Sequence, residues 1–185
     1  GELPLRIFRP GIVVGDSQTG ETDKFDGPYF ILRALQRLPR YTLMTRIGSG
    51  QETVNLVPVD YAVAAMTHLL LADDPGASVF HLTDPAPLST QAILDLFADR
   101  LDMHVAYIPV PAGLARTLMK TGVGRTLGIA PELIDYFDHP SQYDSSNTQA
   151  ALDGTGIACP RLPDYAPAMV EYMKAHADTR SSAMY

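Results

Sequence analysis

The run Gly15-Asp16-Ser17-Gln18-Thr19-Gly20 gathers a carboxylate and two hydroxyls into one short polar stretch. The hydroxyls can donate to a ligand carbonyl, and all three side chains serve equally well in turns, where Asp, Ser and Thr bond the nearby backbone. Both readings stay open from the residues alone. Other chemistry-bearing positions point to less. Histidines stand at 68, 81, 104, 139 and 176 without His-x-x-x-His or His-Glu-x-x-His spacing, so a metal site is not expected. The single cysteine, Cys159, excludes an intrachain disulfide and a cysteine-based zinc site. His81, set in an apolar run, reads as a core histidine with its ring nitrogens satisfied. Gly48-Ser49-Gly50 lacks the G-x-S-x-G elbow of a nucleophilic serine and reads as a hairpin turn. Gly122-Val123-Gly124-Arg125 lacks the Lys-Ser/Thr of a phosphate-binding loop and reads as a connector. Asp60, at the start of an apolar helix, reads as its N-terminal cap.

Positioning these groups falls to an α/β pattern. Leu5 to Phe8 and Ile12 to Val14 are apolar runs that fit strands covered on both faces. Gly15 to Gly27 is a long polar loop, and Pro28 opens a helix with Ile31, Leu32, Leu35 and Leu38 as its apolar stripe. Thr42 to Ile47 and Thr53 to Val57 read as strands joined by the glycine turn. The helix from Pro58 to Leu71 is apolar nearly all round, which predicts burial. Ser78 to Leu82, a helix capped by Ser89 or Thr90, and His104 to Val110 complete a strand–helix alternation typical of parallel sheets. Beyond Pro111 short helices are expected over 112–120, 131–138, 145–152 and 164–176, with Asp144 as a cap and Gly154 as a stop. Met169 and Met173, with Tyr165, Tyr172 and His176, give the last helix a packing face. The domain reading is 1–110, a mostly helical lobe over 111–178, and a tail or linker over 179–185.

Composition narrows the partners. With 185 residues, 46% hydrophobic and 19% charged, the chain has an ordinary globular balance. The formal net charge is −7, and lysine occurs only at 24, 120 and 174. Phosphate-backbone binding needs clustered cations, so nucleic acid is excluded as an expected partner. The stretch Ala62 to Ala72 is far short of the ~20 apolar residues of a membrane span, and no signal sequence opens the chain. A cytoplasmic location is expected.

Arg9-Pro10-Gly11-Ile12-Val13-Val14-Gly15-Asp16-Ser17-Gln18-Thr19-Gly20, followed by Asp26-Gly27-Pro28-Tyr29, resembles the central segment of extended short-chain dehydrogenase/reductases. It looks closest to their acyl-thioester (fatty acyl-CoA) reductase, male-sterility-type branch. Val54 to Tyr61, Phe80 to Pro85, and the ending from Tyr143 to Tyr165 resemble later steps of the same family. The resemblance runs through nearly the whole chain, but only to the C-terminal half of the family's length. It implies the C-terminal part of a doubly wound NAD(P)-binding, Rossmann-like fold with a small, mostly helical lobe over the substrate. It implies NADP or NAD as cofactor, with the backbone of Pro10, Gly11, Ile12 and Val13 beside the nicotinamide. It implies an acyl thioester or other carbonyl as substrate, with Gly15, Asp16, Ser17 and Thr19 near it and Tyr29 and Phe30 as candidates to line an acyl tunnel. In helical spacing, Tyr29 and Phe30 read first as core residues.

The family's catalytic pair, a tyrosine followed four positions later by lysine, is not here. The positions after the nine tyrosines hold Arg33, Thr45, Ala65, Pro111, Pro140, Asn147, Met169 and His176, and Tyr185 is terminal. No G-x-G-x-x-G loop follows a strand. Both features lie upstream in the family, so the chain reads as the substrate-side half of a reductase, inactive alone, whose partner is the missing N-terminal half. Exposed strand edges also lead to an expectation of self-association. Two other readings remain: a nucleotide-sugar epimerase or dehydratase of the same extended family, and a non-catalytic interaction module.

Overall fold

Leu5 to Val14 forms two short strands rather than one. β1 (Ile7–Pro10) and β2 (Ile12–Val14) meet at Gly11 and take partners on opposite edges in this computed structural model. The structure describes residues 5–47, 50–73, 77–110 and 142–176, with the side chains of 45–47 and 108–110 outside the description. The helices expected over 112–120 and 131–138, the Gly122–Arg125 segment, His139 and the tail over 179–185 lie outside the described residues. The remaining elements are α1 (Pro28–Gln36), β3 (Tyr41–Ile47), β4 (Leu56–Pro58), α2 (Val59–Leu71), β5 (Val79–Leu82), α3 (Thr90–Arg100), β6 (His104–Val110), α4 (Ser146–Leu152) and α5 (Leu162–Ala175). All three strand pairs are parallel: β1 with β5, β2 with β4, β3 with β6. The expected α/β class is therefore the observed one. No helix among the described residues is long and apolar enough to cross a membrane.

The chain divides into two compact units, each gathered from separate stretches. The first comprises Gly1–Thr22, Asn55–Pro87 and Gln142–Tyr172. Its core is Val57, Tyr61, Ala65, Leu69, Phe80, Leu82 and Leu152, with Phe8 stacked on Phe80 at 5.9 Å. Strand residues alternate the edge to which they offer their backbone groups, and here the alternation can be followed. The Ile7 and Gly11 N–H groups donate to Ser78 and Leu82 oxygens on the β5 edge, whereas the Ile12 N–H donates to the Asn55 oxygen on the β4 edge. The outer edge of β5 is closed by α4. Asn147 Nδ2 donates to the Val79 oxygen at 3.2 Å and Thr148 Oγ1 to the His81 oxygen at 2.8 Å. The edge of β1 that faces away from β5 has no strand beside it among the described residues.

Two expectations about α2 need correction. Its sequence is apolar nearly all round, yet only one side, at Tyr61, Ala62, Ala65 and Leu69, is buried. Leu70 and Leu71 stand 61% and 76% exposed because nothing among the described residues packs on that face. Asp60 is not the cap either: Pro58 holds the N-cap position with an extended backbone, and Asp60 sits within the first turn. The far end of α2 is stopped by Arg6, whose guanidinium donates to the carbonyls of Leu69, Leu70 and Ala72. A cation there meets both the unsatisfied carbonyls and the negative end of the helix dipole.

The second unit comprises Asp23–Val54, Leu88–Ser141 and Met173–Tyr185. Pro28 stands at the start of α1 as expected, and Phe25 packs edge-on against Tyr29 at 5.4 Å under the Arg33 guanidinium. Ser89 caps α3 by accepting from the Ala92 N–H at 3.2 Å. The hairpin expected between Thr42–Ile47 and Thr53–Val57 is not formed. β3 pairs in parallel with β6, and β4 belongs to the pair with β2. The burial pattern explains this outcome. Leu56, Val57 and Pro58 are all buried, which a covered parallel strand provides, whereas Tyr41 and Leu43 lie on an exposed face.

In α4 and α5 the expected punctuation largely holds. The N-cap of α4 is Ser145, with Asp144 accepting from the next amide, the Ser146 N–H, at 2.9 Å. Gly154 follows at φ 72°. On α5, Tyr165, Met169, Val170 and Met173 are buried, and the Tyr165 hydroxyl donates to the Leu56 oxygen at 3.0 Å.

Candidate substrate and cofactor site

β2 ends at Val14, and the next seven residues fold back on themselves. Asp16 N–H donates to the Glu21 oxygen at 3.0 Å and Gly20 N–H to the Asp16 oxygen at 2.8 Å. One carboxylate oxygen of Asp16 accepts from the Gln18 and Thr19 amides, both at 2.9 Å, and from the Thr19 hydroxyl at 3.1 Å. The backbone donors at Thr19 and Gln18 hold the Asp16 carboxyl below the usual carboxylate range. Gly20 has φ 72°, and a Cβ there would lie 2.1 Å from the Ala168 oxygen, so the loop rests backbone to backbone on α5. The turn reading is thus fulfilled by Asp16 and Thr19. Gln18 and Thr19 are exposed at its tip.

Ser17 behaves differently. It is buried, its N–H donates to Asp60 Oδ1 at 2.9 Å, and its hydroxyl donates to Oδ2 at 2.6 Å. Both carboxylate oxygens of Asp60 are therefore engaged by one residue of the loop.

The Pro10–Val13 segment is braced by Asn55, which sequence reasoning passed over. Its side chain accepts from the Asp84 N–H at 2.8 Å and donates to the Asp84 oxygen at 2.9 Å, and its own carbonyl accepts from Ile12. A Cβ on Gly11 would stand 2.7 Å from the Asn55 oxygen. Gly11 thus admits a close backbone approach, and the partner that takes the space is Asn55. By alternation, Val13 turns its N–H to the side of Gly11, past Leu82 where β5 ends. Thr83, the residue after β5, is 2% exposed, and its hydroxyl has no hydrogen-bond partner among the described residues. A buried hydroxyl and a strand-end amide are the donor and acceptor types that a carboxamide would need, so their chemistry is compatible with a nicotinamide. Asp84, also buried, meets Arg161 Nε at 3.3 Å.

Tyr29 and Phe30 belong to the other unit. Tyr29 is 1% exposed and packed on Phe25, so its ring serves the core of that unit, while Phe30 is 42% exposed. His81 is satisfied, with Nδ1 3.0 Å from the Asp144 oxygen.

Residues 1–66 match the family model of NAD-binding domains described as male sterility protein. An aldehyde reductase of Aspergillus flavus is 24% identical over 110 residues, which is 58% of this chain and 10% of that protein. Among solved structures, the terminal R domain from the myxalamid PKS-NRPS biosynthetic pathway superposes with TM-score 0.71 at 20% identity, over 97% of this chain and 46% of that one. A thiolation-reductase di-domain from an archaeal non-ribosomal peptide synthetase gives TM-score 0.64 at 16% identity, over 95% and 37%. These likenesses give the fold as Rossmann-like. The chain spans less than half the length of these solved chains and a tenth of that curated relative.

Proposed function

We propose that the chain, whose residues 1–66 match the male sterility family model and whose fold is Rossmann-like, forms the substrate-side part of an NAD(P)-dependent reductase of acyl thioesters or related carbonyls. The observation that carries this reading is the asymmetry of the first unit's sheet. The outer edge of β5 is covered by α4 side chains, and the other edge of β1 has no strand beside it among the described residues, which leaves room for a further parallel strand. A two-stranded parallel pair is too little sheet to stand by itself. An upstream half of the same protein is the partner that would extend it and bring the tyrosine–lysine pair and the nucleotide loop. The helical lobe over 111–178 would cover the substrate.

When bound, the dinucleotide supplies a hydride to the carbonyl carbon. Pro10, Gly11, Ile12 and Val13 would form the strand end beside its carboxamide, with the Val13 N–H as the backbone donor, Gly11 and Ile12 being tied to Leu82 and Asn55, and with Thr83 as a hydroxyl at the end of β5. Gly15, Asp16, Ser17 and Thr19 form the loop that meets the thioester; Asp16 and Ser17 shape it and Thr19 lies at its exposed tip. In the second unit, Tyr29 sets α1 in place and Phe30 is exposed on that helix.

Full-length protein incubated with an acyl-CoA and NADPH or NADH tests the proposal. Thioester-dependent loss of the reduced cofactor, with release of thiol and an aldehyde or alcohol, is the expected result. Binding of the thioester without turnover would overturn it in favour of an interaction module.

A further inference from the structure

Asp60 is placed to act on a different part of the chain from its own helix. A carboxylate in a helix's first turn ordinarily answers the free N–H groups of that helix or its dipole. Here both of its oxygens are engaged by Ser17, at 2.9 Å from the amide and 2.6 Å from the hydroxyl. The loop does not need this help to close, because Asp16, Gly20 and Glu21 already lock its backbone. What the pair with Asp60 adds is a fixed place for the closed loop, tied to the point where β4 becomes α2. The loop is then held twice, since Gly20 rests on the α5 backbone at the other end.

We infer that Asp60 is a positioning residue, which acts through Ser17 to set the Gly15–Gly20 loop at the end of β2 for an acyl thioester. This rests on the reading of that loop as substrate-facing. Charge-assisted hydrogen bonds are the strong kind, and a mispositioned binding loop shows in KM before kcat. Asn can keep much of the arrangement, because its amide oxygen accepts from the Ser17 N–H and its NH2 group donates to the hydroxyl.

The test uses the full-length protein with Asp60→Ala, Asp60→Asn and Ser17→Ala. Amide exchange over residues 16–20 is expected to rise about tenfold in Asp60→Ala, with β1 and α2 unmoved, and to return toward the parent in Asp60→Asn. The KM for acyl-CoA should rise about tenfold in Asp60→Ala while the KM for the nicotinamide cofactor and kcat hold within about twofold. Should Asp60→Ala not fold, Ser17→Ala carries the test, with a rise of about threefold in thioester KM. Unchanged loop exchange in Asp60→Ala overturns the inference, whatever the activity. So does loosened exchange in an active enzyme whose thioester KM is unmoved. A parent enzyme that turns over no thioester sinks the functional reading instead, and exchange alone then decides whether Asp60 anchors the loop.

Discussion

Replacing Gly11 by alanine would drive a methyl carbon to within 2.7 Å of the Asn55 carbonyl oxygen. Neither backbone can yield without breaking the Ile12–Asn55 or Gly11–Leu82 hydrogen bond, so Gly11→Ala is expected to cost about 1–3 kcal/mol, read from urea unfolding. Asn55→Ala should cost a similar about 1–3 kcal/mol, because it strands the buried N–H and C=O of Asp84. Cys159 gives a prediction of another kind. Burial, followed by the Asp84 carboxylate, pushes its thiol up to about 12. Burial likewise raises the Tyr61 hydroxyl to about 12. A folded pKa above the unfolded one means that stability is fully present below the unfolded value, about 8.5 for a thiol, and is lost as pH rises toward the folded one. The native chain should therefore resist iodoacetamide at neutral pH and unfold more readily in alkali, and fast alkylation of the folded protein would contradict this. At this scale the sequence showed which residues could form turns but not which partners they meet. Gly11 reads as a place of close approach, yet Asn55 is distant in the chain and carries no local mark of its role.

Elements were more legible than contacts. Pro28, Ser89 and Gly154 punctuate helices by chemistry local to themselves, so their positions follow from neighbouring residues. Pairing does not, and the Gly48–Gly50 turn suggested a hairpin because period and turn residues are all that a sequence displays. The covered state of Leu56 to Pro58, which sends β4 to β2, is a property of the folded molecule. α2 failed as a burial prediction for the same reason: apolar residues permit burial and do not compel it. Lys in place of Leu71 should therefore change stability by no more than about 0.5 kcal/mol. Tyr165→Phe should cost about 1 kcal/mol, since the buried Leu56 carbonyl loses its hydroxyl partner. Equal melting shifts for the two variants would show that the exposed and buried faces are wrongly assigned.

For the whole molecule, the family resemblance and the α/β class were readable because several ordered motifs, from Arg9 to Tyr165, share one arrangement. The division into two units, each drawn from interleaved stretches, was not readable, since it depends on which distant segments condense together. The open edge of β1 leads to a behavioural expectation: the 185-residue chain by itself should self-associate, and sedimentation at rising concentration should show species heavier than 20.1 kDa. A monomer at every concentration would count against a strand-seeking edge. The parallel pairing also has a cost in time. Ile7 waits for Val79, Ile12 for Leu56 and Tyr41 for His104, so none of these pairs can form until a segment dozens of residues further on has been made. Closing such distant contacts is slow, and the greasy N-terminal run from Leu5 to Val14 must stay unpaired meanwhile. Chaperone protection would thus matter more for the Leu5–Val14 run than for β5, whose partner β1 is already made when it emerges.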